Sequence, residues 1–168
     1  MSVQEHRHQT GVGSVRCAVI TVSDTRTTDT DTSGRAIAEL LSAAGHEVAV
    51  QRIVKDDPSA VVASIRDVLA MVDVPVIITT GGTGIASRDS TYEAVTALMD
   101  KHLTGFGELF RMLSYPEIGA AAMMTRATAG VVERRAVFVL PGSEDAVRLA
   151  LTRLIVPELR HVVRELSR

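Results

Sequence analysis

Four short apolar runs, rich in β-branched residues, recur along the chain. They cover residues 15–22, 48–54, 75–80 and 136–140, and each ends at a polar or glycine-rich stretch. Runs of this length between turn-forming residues are typical of buried strands. The pattern therefore predicts four core strands, the first of which leads into a long polar loop over residues 23–33.

Between these runs, apolar residues return at the spacing of one helix face. Gly45 follows the first such stripe, at the place where a left-handed C-terminal cap is expected. Pro157 is expected to kink or divide the last helix. The stripes are Ala36, Ile37, Leu40 and Leu41; Val61, Val62, Ile65, Val68, Leu69 and Val72; Ala94, Val95 and Leu98; and Val147, Leu151, Leu154 and Ile155.

Two of these helices begin with a capping signal. Asp57 followed by Pro58 predicts an N-cap and a proline in the first turn. Ser90 and Glu93, three residues apart, predict a capping box before the third stripe. Residues 105–130 carry no assignable pattern beyond an amphipathic piece and a break expected at Pro116.

Strands that alternate with helices predict an α/β fold, a three-layer sandwich whose mainly parallel sheet carries helices on both faces. One domain is expected over residues 14–168, preceded by a flexible N-terminal arm over residues 1–13. Ligands of such sheets bind beyond the carboxyl ends of the strands. Function is therefore expected in the loops that follow the four strands.

Composition narrows the class of protein. Hydrophobic residues make up 46% of the chain and aromatic residues only 3%, so the core must be aliphatic, as suits a buried parallel sheet. A net charge of -2 gives no support for nucleic acid or an anionic membrane as partner. No apolar run reaches the roughly 18 residues of a membrane span. Cys17 is the only cysteine, so no internal disulfide can form. Because neither a disulfide nor a membrane span is indicated, we expect a cytoplasmic protein.

The four strand-end loops are polar or rich in glycine. They hold Ser23-Asp24, Asp56-Asp57, the segment GGTG with Arg88-Asp89, and Pro141-Gly142-Ser143. Loops are polar in any protein, so the pattern alone also fits a purely structural chain. Gly81, Gly82, Thr83 and Gly84 match neither the dinucleotide fingerprint nor the P-loop, but their amides could hold an anion.

Carboxylates in these loops suggest a divalent cation. Asp57 is assigned to the helix cap, which leaves Asp56 to face the ligand edge, while Asp89 could bind a metal beside a phosphate held by Arg88. The alternative is an Arg88–Asp89 ion pair. Mg²⁺ prefers oxygen ligands and completes its shell with water and substrate phosphates. The sequence therefore predicts Mg²⁺ at Asp56 and Asp89 rather than a zinc site or a protein nucleophile.

Taken together, the motifs resemble the MoaB/MogA family of molybdenum cofactor biosynthesis proteins, and the MoaB branch most closely. The resemblance spans nearly the whole chain. The matching stretches are VITVSDTRT at 19–27, the Asp56-Asp57 turn, TTGGTGIASRDSTYEAV at 79–95, GFGELFRMLSY at 105–115, TRATAG at 125–130 and LPGS at 140–143.

This resemblance implies a molybdopterin-binding α/β fold. It also implies the activity of the best-studied family members, which transfer AMP from MgATP to the terminal phosphate of molybdopterin. It implies that Asp56 and Asp89 are catalytic and hold the metal, and that the loops at Ser23, Asp24, 81–84 and 141–143 bind substrate. It also implies a homotrimer or homohexamer. The alternatives to an adenylyltransferase are a non-catalytic molybdopterin-binding or carrier protein and, more distantly, a CinA-like domain.

The chain departs from the family pattern at one helix start. Tyr92 stands where the family usually has a proline, and Ser90 stands where an apolar residue is common. Ser90 is a good cap, so the backbone is expected to be kept, whereas Tyr92 is expected to alter the pocket wall. Whether Glu108, Arg111 and Ser114 contact ligand or a second subunit is left open by the sequence.

Overall fold

A computed structural model describes residues 13–168. The strands are β1 (Arg16–Val22), β2 (Glu47–Val54), β3 (Val76–Thr80), β4 (Lys101–His102), β5 (Thr128–Val132) and β6 (Arg135–Leu140). The helices are α1 (Thr32–Ala43), α2 (Pro58–Leu69), α3 (Thr91–Thr96), α4 (Thr104–Ile118), α5 (Glu144–Ala150) and α6 (Val156–Leu166). A 3₁₀ helix covers Gly119–Met124, and a π-helical turn at Leu151–Ile155 joins α5 to α6. The predicted arm, residues 1–13, lies outside the described residues except for Gly13.

The six strands form one sheet in the order β2-β1-β3-β6-β5-β4. The four predicted strands β2, β1, β3 and β6 are parallel, as expected, and their carboxyl ends lie along one edge of the sheet. β5 runs antiparallel to β6, and the short β4 runs antiparallel to β5. The sheet is therefore mixed but mostly parallel.

Both faces of the sheet are covered by helices, which confirms the three-layer prediction. Alternate strand residues point to opposite faces because the side-chain period of a strand is two. Cys17 and Val19 pack with α1, α5 and α6 on one face, while Ala18 and Ile20 pack with α2 and α3 on the other. Burial raises the pKa of the Cys17 thiol to about 12, so this thiol is a packing residue.

Local signals fixed several element ends. The Asp57 carboxylate accepts a hydrogen bond from the Ala60 N–H at 3.0 Å, and Pro58 opens α2, as predicted. Gly45 adopts a φ of +80° after α1, which confirms the left-handed cap. The division expected near Pro157 is also present, since the π-helical turn ends where α6 begins.

Three local predictions were wrong. Val72 was predicted to belong to the apolar stripe of α2, but α2 ends at Leu69 and Val72 is 93% exposed. Ser90 stands at the start of α3, but its side chain makes no cap hydrogen bond, and Glu93 pairs with Arg126. Helix α4 does not break at Pro116 but runs through it to Ile118. Pro116 lies in the last turn, and Gly119 with a φ of +58° ends the helix.

Candidate functional site

The carboxyl ends of β1, β3 and β6 surround a polar cavity of about 220 Å³. Its lining includes four of the predicted residues, Ser23, Gly81, Gly82 and Gly142. The parallel strands bring these residues together although they lie far apart in the chain. The cavity is thus at the edge where ligands of such sheets bind.

Three carboxylates converge beside this cavity. The backbone N–H of Asp56 donates to Asp24 Oδ1 at 3.1 Å, which joins the loops after β1 and β2. Burial raises the pKa of Asp56, and the negative charges of Asp89 and Asp24 raise it further. A hydrogen bond from Thr91 and the charge of Arg88 oppose that rise in pKa. Asp56 therefore lies within electrostatic reach of both Asp24 and Asp89.

The glycine-rich loop packs directly against the neighbouring strand-end residues. A Cβ atom on Gly81, which has a φ of +100°, would lie 2.2 Å from the carbonyl oxygen of Val22. A Cβ on Gly82 would lie 2.8 Å from Asp56 Oδ1, and one on Gly84 would lie 2.5 Å from Asp89 Oδ2. Glycine is required here because the loop backbone takes the space that any side chain would fill.

The remaining predicted residues have structural partners. Ser23 Oγ accepts hydrogen bonds from the N–H groups of Thr25 and Arg26, and Ser143 Oγ caps α5 through the Ala146 N–H at 3.4 Å. The Pro141 carbonyl accepts from Thr80 Oγ1 at 2.8 Å. These bonds hold the loops in place.

The loop after β6 is held in the same way. The Gly142 carbonyl accepts a hydrogen bond from Ser33 Oγ at 2.7 Å, so α1 is tied to this loop. Thr83 is buried. Gly142 lines the strand-end cavity, whereas Thr83 does not.

Sequence reasoning missed Asp31, which borders the same cavity. This carboxylate is only 4% exposed, and it accepts hydrogen bonds from Thr21 Oγ1 at 2.7 Å and from the Gly34 N–H at 2.9 Å. It is the N-cap of α1. An aspartate directly before the first helical stripe was a usable N-cap signal, but Asp31 also falls within the polar loop predicted over residues 23–33.

A second cavity, of about 400 Å³, is lined by residues of α4 and of the segment before β5. Tyr92 borders this cavity together with Glu108, Arg111 and Arg126, and it does not line the strand-end cavity. Ser114 is buried instead, and its hydroxyl donates to the Phe110 carbonyl within α4 at 2.8 Å.

The chemistry of the site is that of oxygen ligands. Among residues 13–168, no group of three or more His, Cys, Asp or Glu side chains is arranged to hold a metal ion. A cation at the aspartates would therefore need further oxygen ligands from substrate or water, which is the usual situation for Mg²⁺. Over the same residues, no helix is both long and apolar enough to cross a membrane.

Fold and site together define a class: a doubly covered, mostly parallel α/β protein with acidic and glycine-rich loops at the carboxyl edge of its sheet. Residues 18–161 match a family model described as "Probable molybdopterin binding domain". The chain belongs to this molybdopterin-binding-domain family, as the sequence motifs predicted.

Relatives of the MoaB branch are similar over nearly their whole length. The chain is 54% identical over 169 residues to molybdenum cofactor biosynthesis protein B of Bacillus subtilis (strain 168), covering 100% of this chain and 99% of that protein. A crystal structure of a molybdenum cofactor biosynthesis protein B is 52% identical, with a TM-score of 0.89 over 92% of this chain and 96% of that one. The tungsten cofactor synthesizing protein MoaB from Pyrococcus furiosus is 39% identical, with a TM-score of 0.83 over 92% and 98% of the two chains.

Proposed function

We propose that the protein acts in molybdenum cofactor biosynthesis by binding molybdopterin at the strand-end site and transferring AMP to it from MgATP. The observation that carries the proposal is the convergence of Asp24, Asp56 and Asp89 beside glycine-rich backbone. Relatives of this chain are named molybdenum cofactor biosynthesis protein B, which supports the pathway.

In this reaction a terminal phosphate oxygen of molybdopterin attacks the α-phosphorus of ATP. A new O–P bond forms, the bond to the β-phosphate breaks, and pyrophosphate leaves. Such transfers depend on positioning and electrostatic stabilisation more than on a protein nucleophile. Backbone amides of residues 81–84 are suited to hold phosphate. The Arg88 guanidinium, whose charge lowers the pKa of Asp56, supplies a positive charge beside that phosphate.

The aspartates fit a divalent cation. Burial raises the pKa of Asp56 and the negative charges of Asp89 and Asp24 raise it further, and a cation placed among these carboxylates would relieve that repulsion. Asp56 and Asp89 would hold Mg²⁺, which would supply charge neutralisation for the phosphates when bound.

Pyrophosphate release from MgATP in the presence of molybdopterin tests the proposal. The chain offers a matched pair of variants in adjacent residues, Asp56→Asn and Asp57→Asn. We expect Asp56→Asn to abolish most of the release and Asp57→Asn to keep it, because the Asp57 carboxylate bonds only within the first turn of α2, to the Ala60 N–H and the Ser59 hydroxyl, and asparagine is an equally good cap. Molybdopterin binding without any pyrophosphate release would instead favour a non-catalytic carrier.

Exposed apolar side chains support self-association, and we propose a homotrimer or homohexamer. On α4 they recur every three residues, and two methionines of the 3₁₀ helix extend the patch. Light scattering of the purified protein measures the assembly. The side chains, 47–81% exposed, are Leu109, Met112, Tyr115, Ile118, Met123 and Met124.

A further inference from the structure

Arg126 reaches from the segment before β5 to the glycine-rich loop. Its Nε donates to the carbonyl of Thr83 at 2.9 Å, and one terminal nitrogen donates to the carbonyls of Gly84 and Asp89. The other terminal nitrogen pairs with the Glu93 carboxylate. One side chain therefore binds both arms of the loop, and it also binds the helix that follows.

The Arg126 side chain is well fixed in this position. It is 24% exposed, and its guanidinium carbon lies 4.9 Å from the centre of the Tyr92 ring. A guanidinium is planar and offers five donors in a rigid fork, so it can serve several acceptors at once and stack on an aromatic ring. Lysine could not reproduce this set of contacts.

The loop that Arg126 holds carries Asp89. The Asp89 carboxylate accepts a hydrogen bond from the Ala86 N–H at 3.1 Å, and the Asp89 N–H donates to the Ala86 carbonyl at 3.0 Å. The Thr91 N–H donates to the Gly82 carbonyl at 3.1 Å. These bonds close the loop on itself, whereas the bonds of Arg126 attach it to the chain that enters β5.

We propose that Arg126 is a positioning residue, which sets where Asp89 stands relative to Asp56 for the adenylyl transfer proposed above. The inference rests on that proposed function. Arg126 acts through the loop backbone, since its donors are directed at the Thr83, Gly84 and Asp89 carbonyls and at Glu93. A small displacement of a group that must meet a reacting phosphate costs far more in rate than in binding.

Two measurements on Arg126→Gln and Arg126→Lys test the role. In steady-state pyrophosphate release, we expect kcat to fall about tenfold or more for Arg126→Gln while the KM for molybdopterin changes less than about threefold. Arg126→Lys should lie between the parent and Arg126→Gln. In hydrogen exchange without ligand, the amides of residues 84–91 should exchange faster in Arg126→Gln, while those of β3 stay unchanged.

Arg16→Gln is the matched control, because Arg16 also forms ion pairs, with Glu47 and Asp73, but at the opposite end of the sheet. It should leave kcat and loop exchange as in the parent. A raised KM with unchanged kcat would show that Arg126 contacts substrate, and faster exchange throughout the sheet would show a merely structural role. Either result overturns the proposal.

The experiments distinguish a failure of the proposed adenylyl transfer from a failure of the positioning role of Arg126. If the parent protein releases no pyrophosphate, adenylyl transfer is refuted, and exchange of residues 84–91 alone then decides whether Arg126 holds the loop. Unchanged exchange in Arg126→Gln would overturn the positioning role whatever the parent protein catalyses.

Discussion

Replacing Gly82 by alanine tests how closely the glycine-rich loop packs on the acidic site. Gly82 has a φ of +64°, and an added Cβ would lie 2.0 Å from Thr91 Oγ1 and 2.8 Å from Asp56 Oδ1. A left-handed conformation costs an alanine roughly 1–2 kcal/mol. Forcing an extra carbon into a packed site costs roughly 1–3 kcal/mol more. Because Thr91 is fully buried, the two terms should add to about 2–5 kcal/mol of lost stability.

Two other glycines separate these terms. Gly45 shares the left-handed backbone, with a φ of +80°, but the nearest atom to its added Cβ is Arg160 Nη2 at 3.9 Å. Gly45→Ala should therefore lose only the conformational part, roughly 1–2 kcal/mol. An added Cβ on Gly105 meets nothing within 4 Å. Gly105→Ala should leave stability within roughly 0.5 kcal/mol of the parent or raise it, because alanine favours the helix.

Urea unfolding of the three variants at one protein concentration measures these differences. Molybdopterin affinity should fall for Gly82→Ala alone, because only that change reaches Asp56. If Gly82→Ala loses no more stability than Gly45→Ala, the loop does not pack against Thr91 and Asp56 as described. The account of the site would then be refuted.

Three further predictions concern charge. Asp89→Asn should lower the rate of pyrophosphate release far more than molybdopterin affinity; equal losses in the two assays would contradict a catalytic role. The pKa of Asp56 is raised by burial and by the charges of Asp89 and Asp24, so the folded protein binds this proton more tightly than the unfolded chain and loses stability as pH rises. Asp56→Asn should therefore raise Tm at about pH 8. It should not raise Tm at about pH 3, below the usual pKa range of carboxyl groups, because Asp56 is then protonated in both states. The pKa of His46 is lowered from 6.5 by burial and by the charge of Arg160. The unfolded chain therefore takes up a proton on this imidazole more readily than the folded protein, and the folded protein loses stability as the pH falls below 6.5. His46→Gln should reduce the drop in urea midpoint between about pH 8 and pH 5.5, and an unchanged drop would count against this assignment.

The parts of the fold that the sequence predicted depend on local signals. The four parallel strands are apolar runs bounded by turns, and Asp57-Pro58 opens α2 through contacts within one helical turn. The acidic site followed from topology, because carboxyl ends of parallel strands meet at one edge whatever the spacing along the chain. Asp56 and Asp89 could therefore be placed together without any contact information.

The antiparallel part of the sheet gave no comparable signal. β5 and β6 are joined by Glu133 and Arg134, with φ values of 45° and 64°, where a tight hairpin usually has asparagine and glycine. The turn is supported from elsewhere, since the Glu133 N–H donates to Asp100 Oδ2 at 2.8 Å. A tertiary contact thus supports a backbone conformation that the turn residues themselves disfavour.

This hairpin matters for the site because it carries Arg126 to the glycine-rich loop. Glu93, which was predicted to close a capping box with Ser90, is instead paired with this arginine, 33 residues further along the chain. Parallel strands predict that the loops holding Asp56 and Asp89 lie at one edge of the sheet, but the position of the loop that presents Asp89 depends on this long-range contact. The loop can therefore be perturbed through the hairpin without altering any of the aspartates.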